Sequence, residues 1–144
     1  MENLRKLILE VLEEGYFMSL ATFDKNGVWV SDVIYIHDGL DIFWMSDPNT
    51  RHSKAILTNP QVAGTITISG QGEDNLGIQF SGLAEKIDGP RFDLALKHFS
   101  KRKKIKPKET DDVLQEDSWY LLKLKRIELI HEKLFGFEKQ KIDL

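Results

Sequence analysis

Apolar residues follow two different rhythms along this chain. Leu4, Leu7, Ile8, Val11 and Leu12 recur at helical spacing, which predicts a helix over residues 2–14 with one apolar stripe, stopped at Gly15. From Tyr16 the period falls to two. YFMSLATF, VWVSDVIYIH and LDIFWMS alternate in this way, separated by turn residues at 24–27 and 38–39. Runs rich in β-branched and aromatic residues joined by such short turns read as an antiparallel meander of three strands. A helix-like segment, RHSKAILTN, follows and has to stop before Pro60. Two more strands are expected near 61–69 and 76–87, split by a polar loop over 70–75. Phe92, Ala95, Leu96 and Phe99 mark a second amphipathic helix, with Pro90 in its first turn. The basic stretch KRKKIKPKET then leads to strands near 119–124 and 126–132, joined tightly or continuous through a bend.

Six or seven strands with two or three helices, and no alternation of strand with helix, predict a mainly β (α+β) fold: an antiparallel barrel with peripheral helices. At 144 residues with 41% hydrophobic content, one domain spanning 1–144 with a single core is expected. The formal charge of -3 supplies no global basic field for nucleic acid or a membrane surface. The absence of cysteine removes disulfides, thiolate metal sites and cysteine nucleophiles together, and is compatible with a reducing cytoplasm. The opening MENLRKLILEVLEEG is mixed in charge, unlike a signal peptide. No later run approaches the roughly 20 apolar residues of a membrane span. A cytoplasmic location is the expectation.

Candidate chemistry concentrates in SDPNTRHSK, residues 46–54, between the third strand and the short helix. Thr50 can cap that helix with its hydroxyl, leaving first-turn N–H groups at the positive end of the helix dipole. Arg51, Lys54 and His52 add charge and Ser53 adds a donor, which together make a phosphate cradle. An ordinary capped surface helix with a solvated basic face satisfies the same residues, and both readings stand at this point.

The order of motifs extends further. Ser46, Thr50, Arg51, His52, Asn59 and Pro60, together with Leu20-Ala21-Thr22, Asp32-Val33-Ile34-Tyr35 and the run Ile78 to Ala84, resemble the pyridoxamine 5'-phosphate oxidase-related family of flavoproteins. The likeness covers about 15–88 and resumes at LKRIEL, 124–129. It implies an FMN-binding split β-barrel that works as a homodimer, with FMN at the subunit interface. On that resemblance Thr50, Arg51, Ser53 and Lys54 would hold the flavin phosphate and Ser46 would sit near the ribityl chain or ring edge. The strand carrying Ser31, Asp32, Val33 and Ile34 would lie along the isoalloxazine, and Gln79 would reach the cofactor from a neighbouring strand. Gln79 and Ser81 share a face opposite Ile78 and Phe80, which fits either flavin contact or a solvent-exposed side. His52 stands where many relatives carry lysine, so a titratable charge is expected there and phosphate affinity should weaken as pH rises.

The implied activity is that of an oxidoreductase passing electrons from a donor such as NAD(P)H to a small-molecule substrate. Storage or sensing of FMN without turnover, or haem or a deazaflavin on the same barrel, are the alternatives. The oxidase's C-terminal Arg- and His-bearing segment has no counterpart in HEKLFGFEKQKIDL, so oxidation of pyridoxamine phosphate is not expected. Phe135 and Phe137 either pack over the flavin or anchor the terminus. His37, His52, His98 and His131 lack metal-ligand spacing and read as surface or capping residues. No catalytic acid, base or nucleophile is proposed. Six basic residues within 101–108 offer a nucleic-acid-binding alternative, against the reading of a solvated linker. Among Trp29, Trp44 and Trp119, at least two are expected in core or interface packing.

Overall fold

The computed structural model describes residues 2–144. Its elements are α1 (Glu2–Glu14), β1 (Phe17–Asp24), β2 (Gly27–Asp38), β3 (Asp41–Ser46), α2 (Arg51–Thr58), β4 (Gln61–Thr67), β5 (Leu76–Ile87), α3 (Phe92–Lys101), β6 (Ser118–His131), α4 (Glu132–Phe135) and β7 (Gln140–Asp143). The meander is present as its alternation predicts. Its first turn is closed by Asn26 N–H donating to Asp24 Oδ1 at 2.8 Å, and Gly27 supplies a φ of +101° that L side chains resist.

Strands follow the order β3-β2-β1-β4-β5-β6-β7, all antiparallel, and β3 also pairs with β6. Six strands therefore close into a barrel. β2 and β6 are longer than the strand that joins them: β3 covers residues 35–38 of β2 and 118–123 of β6. Past that junction the two strands part. β7 adds to β6 between Arg126 and Leu129, while β2 from Gly27 to Ile34 pairs with β1 alone. The barrel is split along this line.

Alternation places Met18, Leu20, Ile42, Ile66, Ile78, Leu122, Ile127 and Leu129 inside, and α1 packs Ile8, Val11 and Leu12 into the same cluster. Trp44 stacks on Tyr120 at 5.7 Å between ring centroids. A second, smaller cluster of Ile36, Phe43, Leu94, Ala95 and Trp119 seats α3 against the far end of β2, β3 and β6.

β6 takes the second of the two expected forms, one continuous strand whose register shifts opposite Ser81 and Gly82. Several details differ from expectation. Pro90 precedes the helix rather than entering it, because Arg91 is the N-cap, in the left-handed region at φ +50°. The C-terminal segment carries α4 and β7. Its Phe135 and Phe137 are exposed, and the end of the chain is held by strand pairing and by Ile142 against the core. No helix among the described residues is long and apolar enough to cross a membrane.

Candidate functional site

Ser46 ends β3, and a turn leads to Thr50, which caps α2 in extended geometry. Its Oγ1 accepts from Ser53 N–H at 3.3 Å. The Thr50 and Ser53 hydroxyl oxygens are 2.7 Å apart. Ser46 Oγ and Thr50 Oγ1 lie 2.9 and 3.4 Å from His52 Nε2. Four of the expected residues thus form one hydrogen-bonded cluster. It faces inward: Ser53 is fully buried and His52 is 8% exposed. Burial pushes the imidazole below its ordinary pKa, so His52 is neutral at pH 7. The titration expected at His52 is thereby displaced below the ordinary imidazole range. Ser53, expected to offer a donor, is fully buried beneath the helix start with its hydroxyl against that of Thr50.

The open groups are Arg51 and Lys54. Arg51 Nη2 donates to the Asn26 carbonyl at 3.2 Å, and its guanidinium lies 4.3 Å from the ring centroid of Trp29, which is 45% exposed. Lys54, Asn26, Gly27 and Asn59 line a cavity of about 660 Å³ between α2 and the β1–β2 turn. Trp29 as the platform under Arg51 escaped the sequence reading. Between Val28 and Val30 it sits in an uninterrupted apolar run, so alternation assigns it no face. Trp44 and Trp119 are core residues, as expected of two of the three.

The β2 edge divides the backbone groups expected along a flavin. Lys101 and Lys97 donate to the carbonyls of Tyr35 and His37 just beyond the end of β1, so those carbonyls point to the β1 side. Strand alternation then turns the N–H and C=O of Asp32 and Ile34 toward the open edge, while those of Ser31 and Val33 face β1. The Val33 side chain is buried, and Asp32 accepts from the Ser19 hydroxyl at 2.7 Å.

Gln79 lies elsewhere. Asp32, Ser19, Thr65, Gln79 and Glu128 stand side by side across five strands, and Val30, Ala21, Ala63, Ser81 and Arg126 form the adjacent row. Both rows occupy the outer face, opposite buried Ile78 and Phe80, around a cavity of about 420 Å³. Lys139 donates to Gln79 Oε1 at 3.1 Å. Trp29 is on the other face, paired with Thr22. Within one chain, therefore, Gln79 and the α2 start are on opposite faces of the sheet.

The histidines divide. His37 bonds Glu13 at 2.8 Å, and His131 accepts from Leu134 N–H to cap α4. His98, like His52, is buried rather than on the surface. The basic run begins inside α3, whose last residue is Lys101, and its Lys103, Lys104, Lys106 and Lys108 are exposed.

A six-stranded antiparallel barrel opened between β2 and β6, with a seventh strand and a cationic helix start after β3, is a split β-barrel. Residues 4–131 match the pyridoxamine 5'-phosphate oxidase family, and the chain belongs to that family. A UPF0306 protein of Photorhabdus laumondii is 30% identical over 100 residues, which are 67% of this chain and 70% of that protein. Among solved structures, General Stress Protein 26 of Bacillus anthracis superposes with a TM-score of 0.73 at 16% identity, covering 99% of each chain. A heme binding protein of Mycobacterium smegmatis gives 0.74 at 15%, covering 96% of this chain and 57% of that one. An FAD-binding protein of Mesorhizobium loti gives 0.67 at 17%, covering 83% and 88%. At these identities the superpositions establish a shared fold.

Proposed function

We propose that this protein binds FMN at the interface of a homodimer and acts as an oxidoreductase on a small molecule, with NAD(P)H as an electron donor. One observation carries the reading: a capped helix start bearing two exposed cations, Arg51 and Lys54, beside an open strand edge that presents backbone groups of Asp32 and Ile34. The donor set fits the cofactor. A guanidinium, an ammonium and first-turn N–H groups suit a phosphate dianion, and free main-chain donors and acceptors suit the polar rim of a flavin ring. FMN, when bound, supplies the redox chemistry. The chain's contribution is to bind and orient it. Arg51, steadied on Trp29, and Lys54 hold the phosphate, the neutral His52 and the Ser46 hydroxyl floor the site, and the β2 edge aligns the ring. Gln79, on the opposite sheet face, meets the same flavin only from a second copy, which is the argument for the dimer.

The test is the pigment. The purified protein should be yellow and release FMN on denaturation, and NADH or NADPH should bleach it if it turns over rather than stores the flavin. Arg51→Ala with Lys54→Ala should weaken flavin retention at least about tenfold, because charge-assisted hydrogen bonds contribute roughly 1.5–3 kcal/mol each. Circular dichroism should be unchanged, since both side chains are exposed. Undiminished retention in that variant overturns the phosphate assignment. A released haem overturns the choice of cofactor.

A further inference from the structure

Away from α2, a cavity of about 470 Å³ opens between α1, β2 and α3, lined by Leu12, Glu13, Ile36, His37, Lys97, Ser100 and Lys101. Its size suits a small ligand. Lys97 and Lys101 stand one helical turn apart on α3, with Ser100 on the same wall. Lys97 Nζ donates to the His37 carbonyl at 3.0 Å, and Lys101 Nζ donates to that of Tyr35. The two acceptors are two residues apart on one side of an extended strand, so they hold the ammoniums about 6–7 Å apart. Each ammonium keeps further N–H groups free. Among the described residues no carboxylate lies within salt-bridge distance of either lysine.

We propose that Lys97, Ser100 and Lys101 form a binding site for a small oxyanion, carried on a phosphate ester or a carboxylate, distinct from the α2 start. An oxyanion bridging two ammoniums at that separation makes one charge-assisted bond of about 2.8 Å to each. The ionisable groups on every wall are consistent with this. On α1, Glu13 is largely exposed and its carboxylate is already engaged by His37 of β2. The Tyr35 hydroxyl is committed to the Leu12 carbonyl at 2.7 Å. Lys101 lies 3.5 Å from the Tyr35 ring centroid, and burial has pushed its pKa down to about 8. Glu13 offsets only part of that burial from a distance, and a cation so desolvated, with no carboxylate in contact, gains from an incoming anion.

The test needs no variant at first. Inorganic phosphate, sodium acetate and, as an ionic-strength control, sodium chloride are titrated into the 15N-labelled protein. Phosphate should shift the amides of Lys97, Ser100 and Lys101 saturably, and should raise the Lys101 titration midpoint, followed by side-chain NMR, by about one unit. A parallel response to acetate assigns the site to carboxylates as well, and its absence assigns it to phosphate. Lys97→Met with Lys101→Met should abolish the shifts, while Lys101→Arg, which keeps charge and edge contact, should retain them. Equal shifts with chloride, or shifts confined to residues 50–54, would overturn the proposal and leave the lysines as caps on the β2 edge.

Discussion

His98 shows most directly how one side chain ties this fold to pH. It is 4% exposed, both ring nitrogens lack a hydrogen-bond partner, and its ring packs edge-on against Phe99 and Trp119 at 5.3 and 6.0 Å. Burial, reinforced by the charges of Arg102 and Lys101, pushes its pKa down to about 4 from an ordinary 6.5. The folded chain therefore keeps the ring neutral where the unfolded chain protonates it. Stability is fully present above pH 6.5 and is lost as pH falls toward 4, by about 3 kcal/mol at 1.36 kcal/mol per unit. Below pH 4 this residue removes no more. Urea unfolding between pH 7 and 4 should show that slope in the wild type and a shallower one in His98→Phe, which fills the site without a basic nitrogen. Parallel slopes would mean the imidazole takes its proton without cost. At this scale the sequence speaks weakly. A histidine two residues after Leu96 and one before Phe99 looks the same whether its face of the helix is covered or wet. What buries His98 is Trp119, twenty-one residues away in sequence and brought over it by β6.

Among the elements, α2 is the one whose boundaries the sequence marks most plainly. Its start is set by a Thr50 hydroxyl accepting from Ser53 N–H, its end by Pro60 beyond Asn59, and its buried side by His52, Ser53, Ala55 and Ile56. Thr50→Ala removes the cap and should cost about 1 kcal/mol of stability, with Thr50→Ser recovering most of it. Chemical denaturation of the three proteins measures this directly, and an alanine variant as stable as the wild type would show that water or the Asp47 carbonyl suffices. The helix start, the meander and the fifth strand were legible because each carries its signal within a dozen residues, as a cap, a turn or an alternation. Which side of α2 faces the barrel was not. SDPNTRHSK shows six polar residues in a row from Asn49 to Lys54, and only packing against β1 decides that His52 turns in while Arg51 turns out. β7 was illegible for a related reason. Four residues with one apolar member, Ile142, hold too short a period to read, and the strand exists because β6 presents an edge for it beyond the reach of β3.

Taken as one body, the barrel exposes a face that water alone fits poorly. Phe23 of β1, Val28 and Val30 of β2 and Leu83 of β5 are all exposed on the outer surface, with Val30 at 59%, and the small residues Ala21 and Ala63 lie between them. A contiguous apolar patch of this kind marks an association surface more often than a solvated one. The polar row of Ser19, Thr65 and Gln79 lies beside it, and under the proposed dimer a neighbouring chain's cofactor would meet that row. Because a two-fold interface places the same patch on both subunits, a charge in its middle meets its own copy. Val30→Arg should therefore convert a dimer to a monomer in sedimentation equilibrium while leaving the secondary structure intact, since the side chain it replaces is not part of the core. If the proposed dimer holds the cofactor, flavin should be lost in the same variant although Arg51 and Lys54 are untouched, because Gln79 would then have to come from the absent copy. A Val30→Arg protein that sediments as a monomer yet stays yellow would place the whole cofactor site within one chain. One that remains a dimer would move the interface to another face.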